Sequence, residues 1–306
     1  MNDTIRRFLF EHAPVRGEIV HLDATWRAVL SRHDYPLPVR ALLGEMMAAA
    51  ALLTATLKFG GTLIMQIQGS GPVQLLVVEC TSGHHMRATA KWSRLPANGD
   101  LRTLVGDGKF AITLDPGQGR PGYQGVVALE GASVAAALES YMARSEQIET
   151  RLWLAARDER AAGLLLQKLP AAASADDDTW QRATLLAASL TPEELVALDA
   201  PALLRRLYSA EDIRLFKPRP VEFRCTCSRE RVTSMLHMLG RAEVDSIVAE
   251  RGEVEVNCEF CNQRYRFDGA AVRRSSRRSR PPRGLRATDA HYRLNALILD
   301  TRGGRA

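Results

Sequence analysis

Between Val39 and Leu57 (VRALLGEMMAAAALLTATL) small and apolar residues follow one another with few polar interruptions, which predicts a buried Ala/Leu helix. The pattern then changes to shorter runs. Thr62–Gln68 (TLIMQIQ) and Val73–Glu79 (VQLLVVE) predict two strands, joined by the turn signal Gly69-Ser-Gly-Pro72. Arg87–Ala90, Ala111–Leu114 and Tyr123–Leu129 predict further strands, and Val134–Ser145 a second helix. Strand-turn-strand neighbours dominate over strand-helix-strand, so the expected class is α+β, with helices packed against a sheet.

Residues 171–178 (AAASADDD) break this pattern and mark a boundary. Beyond them come short helical segments with clear start signals. Thr191-Pro-Glu-Glu194 reads as a capping box with proline at the first helical position, and Ser209-Ala-Glu-Asp212 as a second cap. Leu195, Leu198, Leu203, Leu207, Ile213 and Phe216 supply the apolar face. Helices shorter than about 12 residues are not stable alone in water, so these must lie on something. Lys217-Pro-Arg-Pro220 then forms an extended joint. After it, Phe223–Cys227 predicts a strand, Ser228 the cap of a helix ending near Gly240, and Glu243–Glu250 another helix. Glu253–Asn257 and Arg264–Phe267 predict a hairpin.

The expected organisation is therefore an N-terminal sheet-plus-helix domain at 1–175, a helical linker at 176–220, a small module at 221–268 and a basic tail at 269–306. A chain of 306 residues with 46% hydrophobic content has ample material for a core. The net charge of +6 belongs to the tail: seven of the 41 basic residues lie in 273–286 (RRSSRRSRPPRGLR), leaving 34 against 35 acidic. The body is neutral, which argues against a dedicated nucleic-acid surface; the tail reads as a solvated extension. The start, MNDTIRRFLFEHAP, lacks the charged leader and apolar stretch of a secretory signal. The longest apolar run, Met46–Leu57, is too short to span a bilayer. Few cysteines and no signal predict a cytoplasmic, reduced setting without membrane attachment.

Four of the five cysteines carry the candidate chemistry: Cys225-Thr-Cys227 and Cys258-Glu-Phe-Cys261. Two close pairs on separate knuckles are how four thiolates are gathered around one tetrahedral zinc, and in a cytoplasmic chain such a cluster favours metal over a disulfide framework. Cys258-x-x-Cys261 has ordinary knuckle spacing. Cys225-x-Cys227 is rarer: residues i and i+2 of an extended strand lie ~6.6–7.2 Å apart, at or beyond the usual disulfide range of ~4.4–6.8 Å, so joining them forces the backbone to bend. Cys80, at the end of an apolar strand, reads as a small buried residue. A module of this size can barely stabilise itself by apolar burial, whereas structural zinc contributes an apparent ~10–16 kcal/mol in comparable units. Removing the metal is therefore expected to unfold it, and the short helices before it lose whatever they pack against.

Other motifs carry less. Gly117-Gln-Gly119-Arg-Pro-Gly122 spells a nucleotide-loop pattern but sits between strands, with a proline where a helix would open, and reads as a hairpin loop. Gly106-Asp-Gly-Lys109 precedes Phe110 and is not a phosphate-binding loop. His84-His85 reads as a solvated turn, and His237 is superfluous to a site that four cysteines already fill. No hydrolytic triad emerges. Cys258-x-x-Cys261 lacks the strand-to-helix setting that activates the thiol of a disulfide-exchange enzyme.

With its Cys225-x-Cys227 and Cys258-x-x-Cys261 signature, the sequence resembles the 33 kDa chaperonin family, redox-regulated heat-shock holdases of bacteria. The resemblance extends through the first domain: Arg16-Gly17-Glu-Ile-Val, Thr25-Trp26, Arg32-His33-Asp34-Tyr35-Pro36, Leu42-Leu-Gly-Glu45, Leu57-Lys-Phe-Gly60, Gln68-Gly-Ser-Gly-Pro72, Tyr123-Gln-Gly125, Ser145-Glu-Gln147 and Gly163-Leu-Leu-Leu-Gln167. It covers about residues 4–268; the family usually stops soon after, without an arginine-rich extension.

This resemblance implies a non-enzymatic, ATP-independent chaperone. Cys225, Cys227, Cys258 and Cys261 hold one Zn2+ in the reduced, inactive monomer. Oxidation then forms Cys225–Cys227 and Cys258–Cys261 disulfides, with loss of zinc, unfolding of the linker, homodimerisation and capture of unfolding client proteins. No specific nucleic-acid or membrane partner is implied. The alternatives are a zinc-dependent nucleic-acid-binding protein, whose binding is salt-sensitive and indifferent to oxidant, and a disulfide-exchange enzyme, which turns over its substrate.

Overall fold

The computed structural model describes residues 3–117, 119–170, 177–239, 241–268 and 297–299. Its strands are β1 (Thr4–Phe10), β2 (Val15–Leu22), β3 (Thr62–Gly69), β4 (Val73–Thr81), β5 (His85–Trp92), β6 (Gly108–Asp115), β7 (Tyr123–Val127), β8 (Thr150–Arg157), β9 (Arg160–Lys168), β10 (Ile213–Leu215), β11 (Arg219–Pro220), β12 (Glu222–Phe223), β13 (Glu253–Cys258), β14 (Arg264–Asp268) and β15 (Leu297–Leu299). Its helices are α1 (Ala24–Leu30), α2 (Leu37–Thr56), α3 (Leu101–Val105), α4 (Val134–Arg144), α5 (Asp177–Ala187), α6 (Pro192–Ala197), α7 (Ala200–Tyr208), α8 (Arg229–Leu239) and α9 (Arg241–Arg251). They fall into two units, 1–224 and 225–306, and the class is α+β.

Helix α2 organises the first unit. Among the described residues it alone is long and apolar enough to cross a membrane, yet 72% of that window is buried inside the protein. It touches β2, β8 and β9 of one sheet and β3, β4 and β5 of another, so it needs apolar residues on nearly every side. The close approach rests on small residues: a Cβ on Gly44 would lie 2.5 Å from the Cβ of Ala156, and one on Gly163 2.7 Å from Leu52 Cδ1.

The first sheet runs β10-β1-β2-β9-β8, with β11 also on β1; the second runs β12-β5-β4-β3-β6-β7. The first is covered on both faces. Ala161 and Leu165 of β9 join the core around α2, while Ala162, Leu164 and Leu166 join Phe8, Phe10 and Ile19 on the opposite face. A strand buried on both sides carries a continuous apolar run, here Gly163-Leu-Leu-Leu166, and not an alternation. Phe8 lies directly over Gly17, its partner across β1–β2, where an added Cβ would fall 2.0 Å from the ring.

The opposite face is roofed by α5, α6 and α7, through Trp180, Ala183, Leu195, Leu203, Leu207 and Tyr208. The short helices thus rest on a sheet of their own unit. The capping box at Thr191 is present in full: Glu194 N–H donates to Thr191 Oγ1 at 3.2 Å, and Thr191 N–H to Glu194 Oε2 at 3.1 Å. Ser209, in contrast, closes α7 and starts no helix. Ile213 belongs to strand β10, paired with Phe10 of β1, and Phe216 follows it along the same edge. An exposed sheet edge outcompetes a further helical turn because it satisfies the segment's backbone groups in extended form.

Two other expectations are corrected. The strand expected over Phe223–Cys227 ends at Phe223, where its pairing with β5 stops. His84 is buried, in the left-handed region at φ 60°, and burial pushes its imidazole down to about 4. The strand expected at Arg87–Ala90 is present, within the longer His85–Trp92. Gly117 and Gly119 fall in the β6–β7 loop. Residues 171–176 of the boundary segment and the arginine-rich 273–286 lie outside the described residues.

Glu45, the single acid of α2, lies mostly buried, and burial pushes its carboxyl up to about 7. Its folded value exceeds the unfolded one, so the folded state favours the proton. Stability from this group is complete below the unfolded value near ~4.3 and declines as pH rises through 7. Urea midpoints should fall between pH 5 and 8, and Glu45→Gln should flatten that slope; an unchanged slope would assign it to another group.

The second unit holds α8, α9 and a sheet of order β14-β13-β15. Ser228 accepts from Arg231 N–H at 3.3 Å at the start of α8, as its position predicts. The core is small: Val232, Met235, Leu236, Val244, Val254, Val256 and Phe267.

Candidate metal centre

Each cysteine pair is placed by local backbone chemistry. Cys258 ends β13, and its N–H donates to Gln263 O at 2.9 Å, closing the hairpin to β14. Asn262 takes the left-handed conformation, φ 59°, and donates from its N–H to Cys258 O at 2.7 Å. Asparagine tolerates that region, and the resulting tight turn carries Cys261 back beside Cys258. Cys225 and Cys227 lie in the irregular stretch between β12 and α8. There Arg231 Nη1 donates to Thr226 Oγ1 at 2.7 Å, fixing the residue between the two thiols. Arg229 ties the helix to the hairpin: its guanidinium donates to Arg266 O at 2.7 Å and lies 4.3 Å from the centre of the Phe267 ring.

These constraints bring all four sulfurs within 4.8 Å of one another. Cys225 Sγ is 3.7 Å from Cys258 Sγ, and Cys227 Sγ is 3.3 Å from Cys261 Sγ. A tetrahedral site with metal–sulfur bonds of ~2.3 Å has sulfur–sulfur edges of ~3.8 Å, so the spacing fits one ion. A disulfide needs ~2.05 Å, and all four cysteines are free thiols. Both of these separations run between the knuckles, as edges of a tetrahedron do; they select no disulfide partner.

The electrostatics agree. Hydrogen bonding from Cys225, then from Cys261, and burial push the Cys258 thiol strongly up. Cys261 rises to about 12, chiefly through its bond with Cys225. The Tyr265 hydroxyl donates to Cys227 Sγ at 3.1 Å and is itself raised, first by burial and then by that sulfur. Four sulfurs this close repel as thiolates and keep their protons unless a cation neutralises them, so metal binding here releases protons. Cys258 is 2% exposed and its three partners half-buried, which leaves the cluster reachable from solvent.

Among the described residues, this metal-capable cluster comprises Cys225, Cys227, Cys258 and Cys261, without His237. Cys80 stands apart: buried on β4, its thiol pushed up to about 12 by desolvation, it is the inert apolar residue expected. Tyr265 and Arg231 were not foreseen. An aromatic hydroxyl and a guanidinium close to a knuckle were the available signals, but hairpin register and helix phase decide whether they reach it.

An α+β body followed by a four-cysteine module able to hold one metal ion: that is the class of protein defined here. The profile of the Hsp33 protein family matches residues 3–268. The chain is 53% identical to the 33 kDa chaperonin of Methylobacillus flagellatus over 88% of its own length and 92% of that protein. It is 48% identical to the 33 kDa chaperonin of Nitrosococcus oceani, over 87% of this chain and 91% of the other. The crystal structure of the 33 kDa chaperonin from Thermotoga maritima superposes with a TM-score of 0.77, covering 90% of this chain and 97% of that one; at 23% identity this likeness concerns the fold. The chain belongs to the Hsp33 family, and is thus a protein of a chaperone family.

Proposed function

We propose that this protein is a redox-regulated, ATP-independent holdase whose sensor is the four-thiol cluster. The observation that carries the reading is that cluster: four free, partly accessible sulfurs at metal-ligand spacing in a module whose hydrophobic core, among the described residues, is a cluster of seven buried side chains. Cys225, Cys227, Cys258 and Cys261 would hold one Zn2+, which when bound neutralises the thiolates and joins two segments that apolar burial alone barely holds.

Two equivalents of a two-electron oxidant, such as peroxide or hypochlorous acid, convert the four thiols to two disulfides. Each pair gives up two protons and two electrons, and peroxide leaves as water. The pairing is Cys225–Cys227 and Cys258–Cys261, as in the family the sequence resembles. All four donors vanish together, so the module no longer holds a metal and unfolds. The linker at 176–220 is then released: α5, α6 and α7 leave the sheet they roof, and the face of Phe8, Ile19, Leu164 and Leu166 opens to unfolding polypeptides and to a second copy of the chain. The functional regions are 1–175 for clients and dimerisation, 176–220 as releasable linker and 221–268 as sensor. The reduced form is monomeric and inactive. No step is catalytic turnover, so the protein is not an enzyme, and the reducing cytoplasm keeps it switched off.

The test follows metal release and light scattering together. Reduced protein exposed to hypochlorite, or to peroxide with heating, should release about one zinc per chain. It should then suppress aggregation of a thermally unfolding client, reversibly with dithiothreitol. Zinc retained under oxidant, or released without gain in suppression, refutes the reading.

A further inference from the structure

Along one side, β1 pairs with β2. Its other side is covered by residues 212–221 of the chain itself. Glu11 N–H donates to Asp212 O at 3.0 Å, β10 pairs Phe10 with Ile213 and Phe8 with Leu215, and Phe216 N–H donates to Arg7 O at 2.9 Å. After Lys217 and Pro218 the pairing resumes, Ile5 with Arg219 and Thr4 with Pro220, before Val221 N–H donates to Asp3 O at 3.1 Å. This strap leads through β12 to Cys225, making it the covalent route from the thiols to the first unit.

The strap is a weak occupant of a good site. Its strands have three and two residues, and Pro218 and Pro220 donate no backbone bond. A seven-residue edge, once bare, is a template for any extended chain. The side chains at the edge also have a preference. Ile213 and Leu215 pack against the core shared with the short helices, so alternate positions want apolar groups. On the intervening position the Arg214 guanidinium grips Glu11 with two bonds of 2.6 and 2.8 Å, and Arg219 lies 3.8 Å from the buried Glu18. Apolar residues alternating with basic ones match this edge.

We propose that the outer edge of β1 is a β-augmentation site for extended, apolar-and-basic segments of unfolding proteins, occupied in the resting chain by residues 212–221. This rests on the holdase reading for its biological role and adds a site to it. Backbone pairing supplies affinity without demanding a sequence, and the two glutamates supply the preference. Held in cis, the strap enjoys an effective concentration in the millimolar range, so micromolar clients do not displace it until the linker is released.

A fluorescent peptide spanning Asp212–Pro220 (DIRLFKPRP) tests the site by anisotropy against the full chain in three forms: reduced, oxidised, and a reduced Arg214→Glu/Phe216→Pro variant whose own strap is weakened. The oxidised chain and the variant should bind at least about tenfold tighter than the reduced chain, in competition with client. Methylating the Phe216 amide nitrogen of the peptide, which removes the donor to Arg7 O, should cost about tenfold. An oxidised chain that suppresses aggregation but ignores the peptide, or binds the methylated peptide equally well, overturns the proposal and spares the holdase reading. Methyl-sensitive binding by an oxidised chain that suppresses nothing keeps the edge and overturns the holdase reading. If the variant does not fold, the oxidised chain alone decides.

Discussion

A Cys258→Ser chain should lose its metal and the fold of residues 225–268 in one step. Cys258 is the most buried of the four sulfurs, and its backbone closes the hairpin turn that also positions Cys261. Serine keeps the turn but supplies a poor ligand in place of a thiolate, leaving three sulfurs and an open corner. Removing structural zinc forfeits an apparent ~10–16 kcal/mol in modules of this kind, more than a small apolar core replaces. Purified from zinc-supplemented culture, the variant should carry under about a tenth of an equivalent of zinc. It should also be cut by protease within α8 and α9, where the parent resists. Cys80→Ser should leave zinc and protease resistance unchanged, its thiol being buried in the other unit. A Cys258→Ser chain with a protease-resistant module would show that the seven-residue core suffices, and would remove the physical basis of the proposed switch.

A second large effect is expected far from any thiol. Leu203 of α7 is fully buried against the sheet face carrying Phe8 and Leu164, and truncating such a leucine costs about 2–5 kcal/mol. The loss falls on the docking of three helices of 11, 6 and 9 residues, none able to persist undocked. Leu203→Ala should therefore raise the undocked population by a factor of about 30 to about 5,000. The reduced, metal-loaded chain should then suppress client aggregation in dithiothreitol, without oxidant. Leu165→Ala, which cuts into the opposite core against α2, should lower stability without that gain. Equal behaviour of the two variants, by light scattering and by proteolysis at 177–208, would show that the linker is not the gate.

Much of this was legible beforehand where one physical rule dominates. The knuckles, the capping box at Thr191 and the β3–β4 hairpin each follow from a local pattern that tertiary context leaves alone. Strands β1, β2, β8 and β9 were harder: β9 is buried on both faces and shows no period, while β1 carries Arg6 and Arg7 in its middle. Ser209 has the chemistry of an N-cap, but the free edge of β1 claims the residues that follow. His84 resembles a solvated turn residue and is buried, which only the packing around it decides. At the metal centre the ligands were readable from spacing, whereas Tyr265 and Arg231 depend on hairpin register and on the phase of α8.

Helix α2, held between two sheets, has a consequence for how the protein comes into being. Its partners β8 and β9 lie about a hundred residues downstream, and Val15 of β2 must wait for Lys168. At ~5–20 residues per second, a ribosome needs roughly 5 to 20 seconds to deliver them. Throughout that interval a 20-residue helix of mean hydropathy 1.4 has emerged with half of its cover missing. A chain of a chaperone family thus passes, in each round of its own synthesis, through a stage in which its own apolar surface lacks cover.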